Sequence, residues 1–77
     1  MNLYARTAAL YCKVAKLEGK QEVMFSLPKI KVLQVKGVED ALRQYGVEIE
    51  HIRSNGEYWF LADVTNLRLG DSDDAVG

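Results

Sequence analysis

Residues 47–64 read VEIEHIRSNGEYWFLADV, and how this stretch pairs with itself decides what kind of domain the chain makes. Asn55-Gly56 is the preferred dipeptide of a two-residue type I′ turn, because both central positions need positive φ. Setting Ser54 opposite Glu57 then fixes each rung: Arg53 with Tyr58, Ile52 with Trp59, His51 with Phe60, Glu50 with Leu61, Ile49 with Ala62, Glu48 with Asp63 and Val47 with Val64. Alternate residues share a face. One face gathers Val47, Ile49, Phe60, Ala62 and Val64, the composition of a sheet packed on helices. The other sets Ile52, Trp59 and Leu61 among carboxylates, with Glu48 directly across from Asp63. Those two acids repel, so the hairpin is expected to fray at its base.

Working towards the N-terminus, Val38, Ala41, Leu42 and Tyr45 fall at i, i+3, i+4 and i+7, so a short helix buries one side. Glu39 and Asp40 suit its first turn and Gly46 ends it. The preceding segment, SLPKIKVLQVKG at 26–37, supports two readings. Ser26 can cap a helix with Pro28 in its first turn, Leu27, Ile30 and Leu33 on one side and Gly37 as terminator. The same letters also suit a strand, through Ile30, Val32 and the β-branched content. The helix is the preferred reading. QEVMFSL at 21–27 reads as a short strand with Val23 and Phe25 on one side.

Residues 3–17, LYARTAALYCKVAKL, place Leu3, Thr7, Leu10, Val14 and Leu17 at alternating spacings of four and three, with Tyr4 and Tyr11 beside them, a helical stripe. Asn2 is the expected N-cap and Gly19 the expected stop. Arg6, Lys13, Lys16 and Lys20 gather on the other side.

Seventy-seven residues suit one small α+β domain, expected over 1–70, with DSDDAVG at the end reading as a disordered acidic tail over 71–77. No apolar run approaches the roughly 18 residues of a membrane span, and no signal peptide opens the chain, so a cytoplasmic location and no membrane partner are expected. The net charge of −1 conceals an asymmetry. Residues 1–37 carry seven Lys and Arg against two Glu, and residues 38–77 carry three Arg against nine acids. Such a layout orients a molecule towards a charged partner.

Little points to catalysis. One cysteine and one histidine form neither a disulfide nor a four-ligand zinc site, and no cofactor is expected. The six glycines are scattered and build no phosphate loop. His51 faces Phe60 as a packing residue, and Cys12, beside Ala5, Ala8 and Ala9, reads as a small buried side chain.

The segment SLPKIKVLQVKGVEDALRQYGVEIEHIRSNGEYWFL, with a second helix, Gly37 at a turn, a third helix and a hairpin closing in Gly-x-aromatic, resembles the winged helix-turn-helix superfamily over residues 3 to 64. That resemblance implies a third helix entering the major groove through Glu39, Asp40, Arg43 and Gln44, and a wing touching the backbone through Arg53, Ser54 and Asn55. Phosphate attraction dominates DNA affinity, and carboxylates on that helix oppose it.

Two functional readings follow. The first is a protein-binding regulator, adaptor or inhibitor that docks through Ile52, Trp59, Leu61 and Arg53, provided the first helix does not cross the hairpin and bury them. The second is a nucleic-acid-binding transcriptional regulator using Lys13, Lys16, Lys29, Lys31 and Lys36, with Arg43 and Gln44 reading bases. Unpaired hairpin edges or the Trp59 patch also allow a homodimer.

Overall fold

The computed structural model describes residues 2–68. Elements follow the order α1 (Leu3–Leu17), β1 (Glu22–Ser26), α2 (Val32–Arg43), β2 (Glu48–Ser54) and β3 (Glu57–Asp63). The result is a small α+β domain with two helices and a three-stranded antiparallel sheet of order β1-β3-β2. The tail expected over 71–77 lies outside the described residues.

Local chemistry sets both ends of α1 and the last turn of α2 where the sequence placed them. The Asn2 side chain accepts the Ala5 N–H at 2.7 Å. At the other end of α1, the Gly19 N–H donates to the Lys16 carbonyl and Lys20 to that of Ala15, a Schellman closure that requires the positive φ of Gly19. The chain leaving α2 closes in the same way, with Gly46 donating to Arg43 and Val47 to Leu42.

The hairpin adopts the expected register from Glu48↔Asp63 to Ser54↔Glu57, and Asn55 and Gly56 both have positive φ. The ladder holds as far as Glu48↔Asp63, the pair expected to push the base apart, and stops before the expected Val47–Val64 rung, whose N–H groups donate to the Leu42 and Gln21 carbonyls instead. β1 adds a second ladder there, aligning Glu22 with Asp63 as well, and Asp63 turns its carboxylate to accept the Thr65 N–H at 2.9 Å. The Thr65 backbone bond and then its hydroxyl hold this carboxyl below the usual carboxylate range. Repulsion along the row is offset by hydrogen bonds at its centre and a strand on each side.

Residues 27–46 depart most from expectation. Neither a helix nor a strand begins at Ser26. Pro28 and Lys29, the latter at φ 65°, form a turn, and Leu27 and Ile30 are pegs buried in the core from this loop. α2 starts at Val32, with Gln34 Oε1 accepting the Lys31 N–H at 3.0 Å. It then runs without a break through Gly37, so the two expected helices and the turn between them are one helix. A mid-helix glycine costs about 1 kcal/mol. Burying Val35, Val38 and Leu42 along one side contributes more, on the order of 1.5–3 kcal/mol for each side chain. Leu33, expected inside, is exposed, as is Tyr45.

α1 is the other departure. Ala5, Ala8, Cys12 and Ala15 face the core, whereas Leu3, Leu10, Val14 and Leu17 face solvent. The small side chains let the helix axis approach β1 and α2 closely. Tyr11 stacks on Phe25 (4.9 Å between ring centroids), and Phe25 on Phe60 (5.5 Å).

A backbone strap completes the fold. Arg68 donates its N–H to the Tyr45 carbonyl, and Lys16 Nζ reaches the Thr65 carbonyl at 2.6 Å. Gly46 lies beneath this strap with φ +89°, and a Cβ there would come within 2.4 Å of the Asn66 carbonyl oxygen. Gly46→Ala is therefore expected to cost at least about 2 kcal/mol. Gly19→Ala, with similar φ but open space around it, is expected to cost about 1 kcal/mol. Urea titration of both variants measures the difference; equal losses would show that the strap does not close over Gly46.

Candidate protein-docking surface

Strand alternation and the three-strand register give the sheet two unlike faces. Phe25, Ile49, Phe60 and Ala62 point into the core. The opposite face carries three rows across β1, β3 and β2: Glu22, Asp63, Glu48; then Met24, Leu61, Glu50; then Ser26, Trp59, Ile52. Among the described residues, no element packs on this side. α1 contacts β1 and α2, and α2 contacts β2, from the core side. The alternative in which α1 crosses the hairpin and buries Trp59 is thereby overturned, because α1 spends its small-residue face on the core.

Met24 and Ile52 are 63% and 62% exposed, and Trp59 and Leu61 are half-buried. Together with Glu50 they line a shallow trough on the open face. Ile52, Trp59 and Leu61 are thus brought together as expected. Met24 joins them, and the sequence missed it because the pairing of β1 with β3 is not local. Arg53 is not part of this face. It sits on the other side of β2 near the hairpin tip, with its guanidinium 5.7 Å from the centre of the Tyr58 ring.

The residues assigned to nucleic acid are dispersed. Lys13 and Lys16 lie on α1, and Lys16 is bound to the Thr65 carbonyl. Lys29 is in the turn and Lys31 at the start of α2. Lys36 and Arg43 flank Asp40 at 3.5 Å each. Arg43 also donates to the Ile49 carbonyl at 3.2 Å, tying α2 to β2, and the Gln44 carbonyl accepts from the Arg68 guanidinium. Glu39, expected on an outward groove-reading face, is buried instead. Its Oε2 lies 2.7 Å from His51 Nδ1. The i, i+4 relation of Val35 and Glu39 turns Glu39 towards the sheet with the other core positions of α2.

This histidine–carboxylate pair joins β2 to α2, and the chain's one cysteine lies apart from it. Cys12, on α1, is fully buried. Burial pushes its thiol up to about 11, which leaves it protonated and unreactive at neutral pH. Among the described residues, no three side chains of metal-binding type come together, and no helix is long and apolar enough to cross a membrane. No family model, curated protein or solved structure matches this chain.

Two measurements check these placements. His51→Ala leaves the buried Glu39 carboxylate without that hydrogen bond and is expected to cost roughly 1–3 kcal/mol, against less than about 1 kcal/mol for Arg53→Ala; equal costs would place Glu39 in solvent. For Cys12, both states hold the proton below its ordinary value of 9.0, and the unfolded chain alone ionises between there and about 11. Stability is therefore expected to fall as pH rises through that window. At neutral pH a disulfide reagent should label Cys12 only as fast as the protein unfolds, and rapid labelling of the folded chain would contradict its burial.

Proposed function

We propose that this chain is a non-enzymatic protein-binding module, a small regulator, adaptor or inhibitor that docks on a larger assembly through the open face of its sheet. The carrying observation is the apolar cluster of Met24, Leu61, Trp59 and Ile52, spread over two rows of the sheet, uncovered among the described residues and bordered by Glu22, Glu48, Glu50 and Asp63. A sheet ordinarily buries both of its faces when both carry large apolar side chains. Here no second layer is found among the described residues. An apolar anchor with a half-buried tryptophan at its centre and charge at its rim has the composition of a binding hot spot. The carboxylates select the partner: an amphipathic helix or surface whose apolar stripe is bordered by Lys and Arg.

The winged-helix reading has less behind it. A small α+β domain with a three-stranded antiparallel sheet is compatible with such an arrangement, but α2 replaces the helix-turn-helix. The basic side chains nearest its outer face are engaged with Asp40 or with backbone carbonyls.

Ile52→Glu changes only a solvent-facing side chain, and Trp59→Ala truncates the anchor. Both variants are expected to keep the wild-type circular dichroism and to lose at least tenfold in affinity for the captured partner. Capture is expected to survive nuclease and weaken only moderately with salt. Capture that vanishes with nuclease, or that is unchanged in Ile52→Glu, would contradict this reading.

A further inference from the structure

We propose that the outward side of α1 is a short parallel coiled-coil seam through which two copies of this chain pair. Leu3, Leu10 and Leu17 repeat every seven residues, and Thr7 and Val14 fall four residues after the first two of them. In heptad terms the leucines occupy d and the β-branched residues occupy a, the combination that favours two parallel strands. The positions diametrically opposite, Ala5, Ala8, Cys12 and Ala15, are the ones buried in the domain. α1 therefore has two apolar sides. The small side chains are inside, and the large ones are in water: Leu3 is 73% exposed, Leu10 62% and Leu17 77%. A soluble helix normally does the reverse, and the inversion is explained if a second helix covers the seam.

The flanking residues identify that helix as another copy of this chain. Arg6 and Lys13, expected opposite the leucine stripe, instead lie beside it at g, because the opposite side is the buried alanine side. In a parallel pair, each g position faces the next e position of the other helix. Arg6 then meets the half-exposed ring of Tyr11 in the second copy, and Lys13 meets Glu18, with both contacts repeated by the twofold axis. The first is a cation–π contact and the second an ion pair. An antiparallel pair would instead set g against g, bringing Arg6, Lys13 and Lys20 face to face. Lys16 lies off the seam, held by the Thr65 carbonyl.

Two heptads are too few to associate as free peptides. Here the domain already holds α1 helical, capped at Asn2 and closed at Gly19, so pairing need not order the backbone. Four exposed apolar side chains, Leu3, Leu10, Val14 and Leu17, make a seam at the low end of specific interfaces, so association is expected to be reversible and dependent on concentration. This inference does not rest on the proposed function, because the seam and the open sheet face belong to different elements.

Sedimentation from about 10 μM to about 1 mM follows the mass-action test. The expected mass rises from the 8.7 kDa of one chain towards twice that value. Leu10→Glu and Val14→Glu are expected to stay monomeric with wild-type circular dichroism, and Ile52→Glu to dimerise as the wild type does. Lys13→Glu is expected to weaken pairing and Lys13→Glu with Glu18→Lys to restore it. Val14→Cys is expected to oxidise to a covalent dimer, because parallel pairing brings position 14 beside its own copy. Several results would overturn the proposal. These are a wild type that stays monomeric throughout, a Leu10→Glu variant that still dimerises, a dimer broken by Ile52→Glu instead, or a Val14→Cys variant that resists cross-linking. Unfolding of both seam variants would place Leu10 and Val14 in the core and also refute it.

Discussion

The packing of the alanine and cysteine side of α1 against the aromatic centre of the core governs the rest of the molecule. Tyr11, Phe25 and Phe60 form a stack that links α1, β1 and β3. A helix can approach such a stack closely only if the side chains between them are small, and Ala5, Ala8, Cys12 and Ala15 meet that requirement. Two consequences follow at once. α1 is held to the core side of the sheet and leaves the opposite face uncovered, and its leucines are turned to solvent. Both exposed apolar surfaces thus derive from one close approach.

How far the sequence revealed this depended on whether the relevant signal was local. Asn55-Gly56 and strict alternation were enough to register the hairpin rung by rung, because both act between residues a few positions apart. The ends of α1 were legible for the same reason, through Asn2 and Gly19. The inward side of α1 was not. Its leucine stripe is the stronger periodic signal, and periodicity reports that a face is apolar without saying what covers it. Two competing faces were present, and size complementarity with Phe25, a distant residue, chose between them.

The same distinction explains the middle of the chain. Gly37 is a terminator only if the helix has nothing to gain by continuing, and the gain comes from Val35, Val38 and Leu42 burying together. Leu27 and Ile30 looked like a helix face, but Pro28 and the positive φ of Lys29 make them two pegs on a loop. The Glu39–His51 hydrogen bond joins residues twelve positions apart on different elements, and no local pattern marks it. Of the candidate site, Ile52, Trp59 and Leu61 were legible from the hairpin alone, whereas Met24 required knowing where β1 pairs.

The orientation of α1 is therefore the claim on which the two surfaces depend. Long-range nuclear Overhauser effects in the isotope-labelled protein test it directly. Contacts from the Tyr11 ring to Phe25, and from the Ala8 and Ala15 methyls into the buried cluster, are predicted, with the Leu3, Leu10 and Leu17 methyls showing none to that cluster. Strong contacts from the leucine methyls to Phe25 or Phe60 would mean that α1 is rotated by half a turn, and the account of both surfaces would fall.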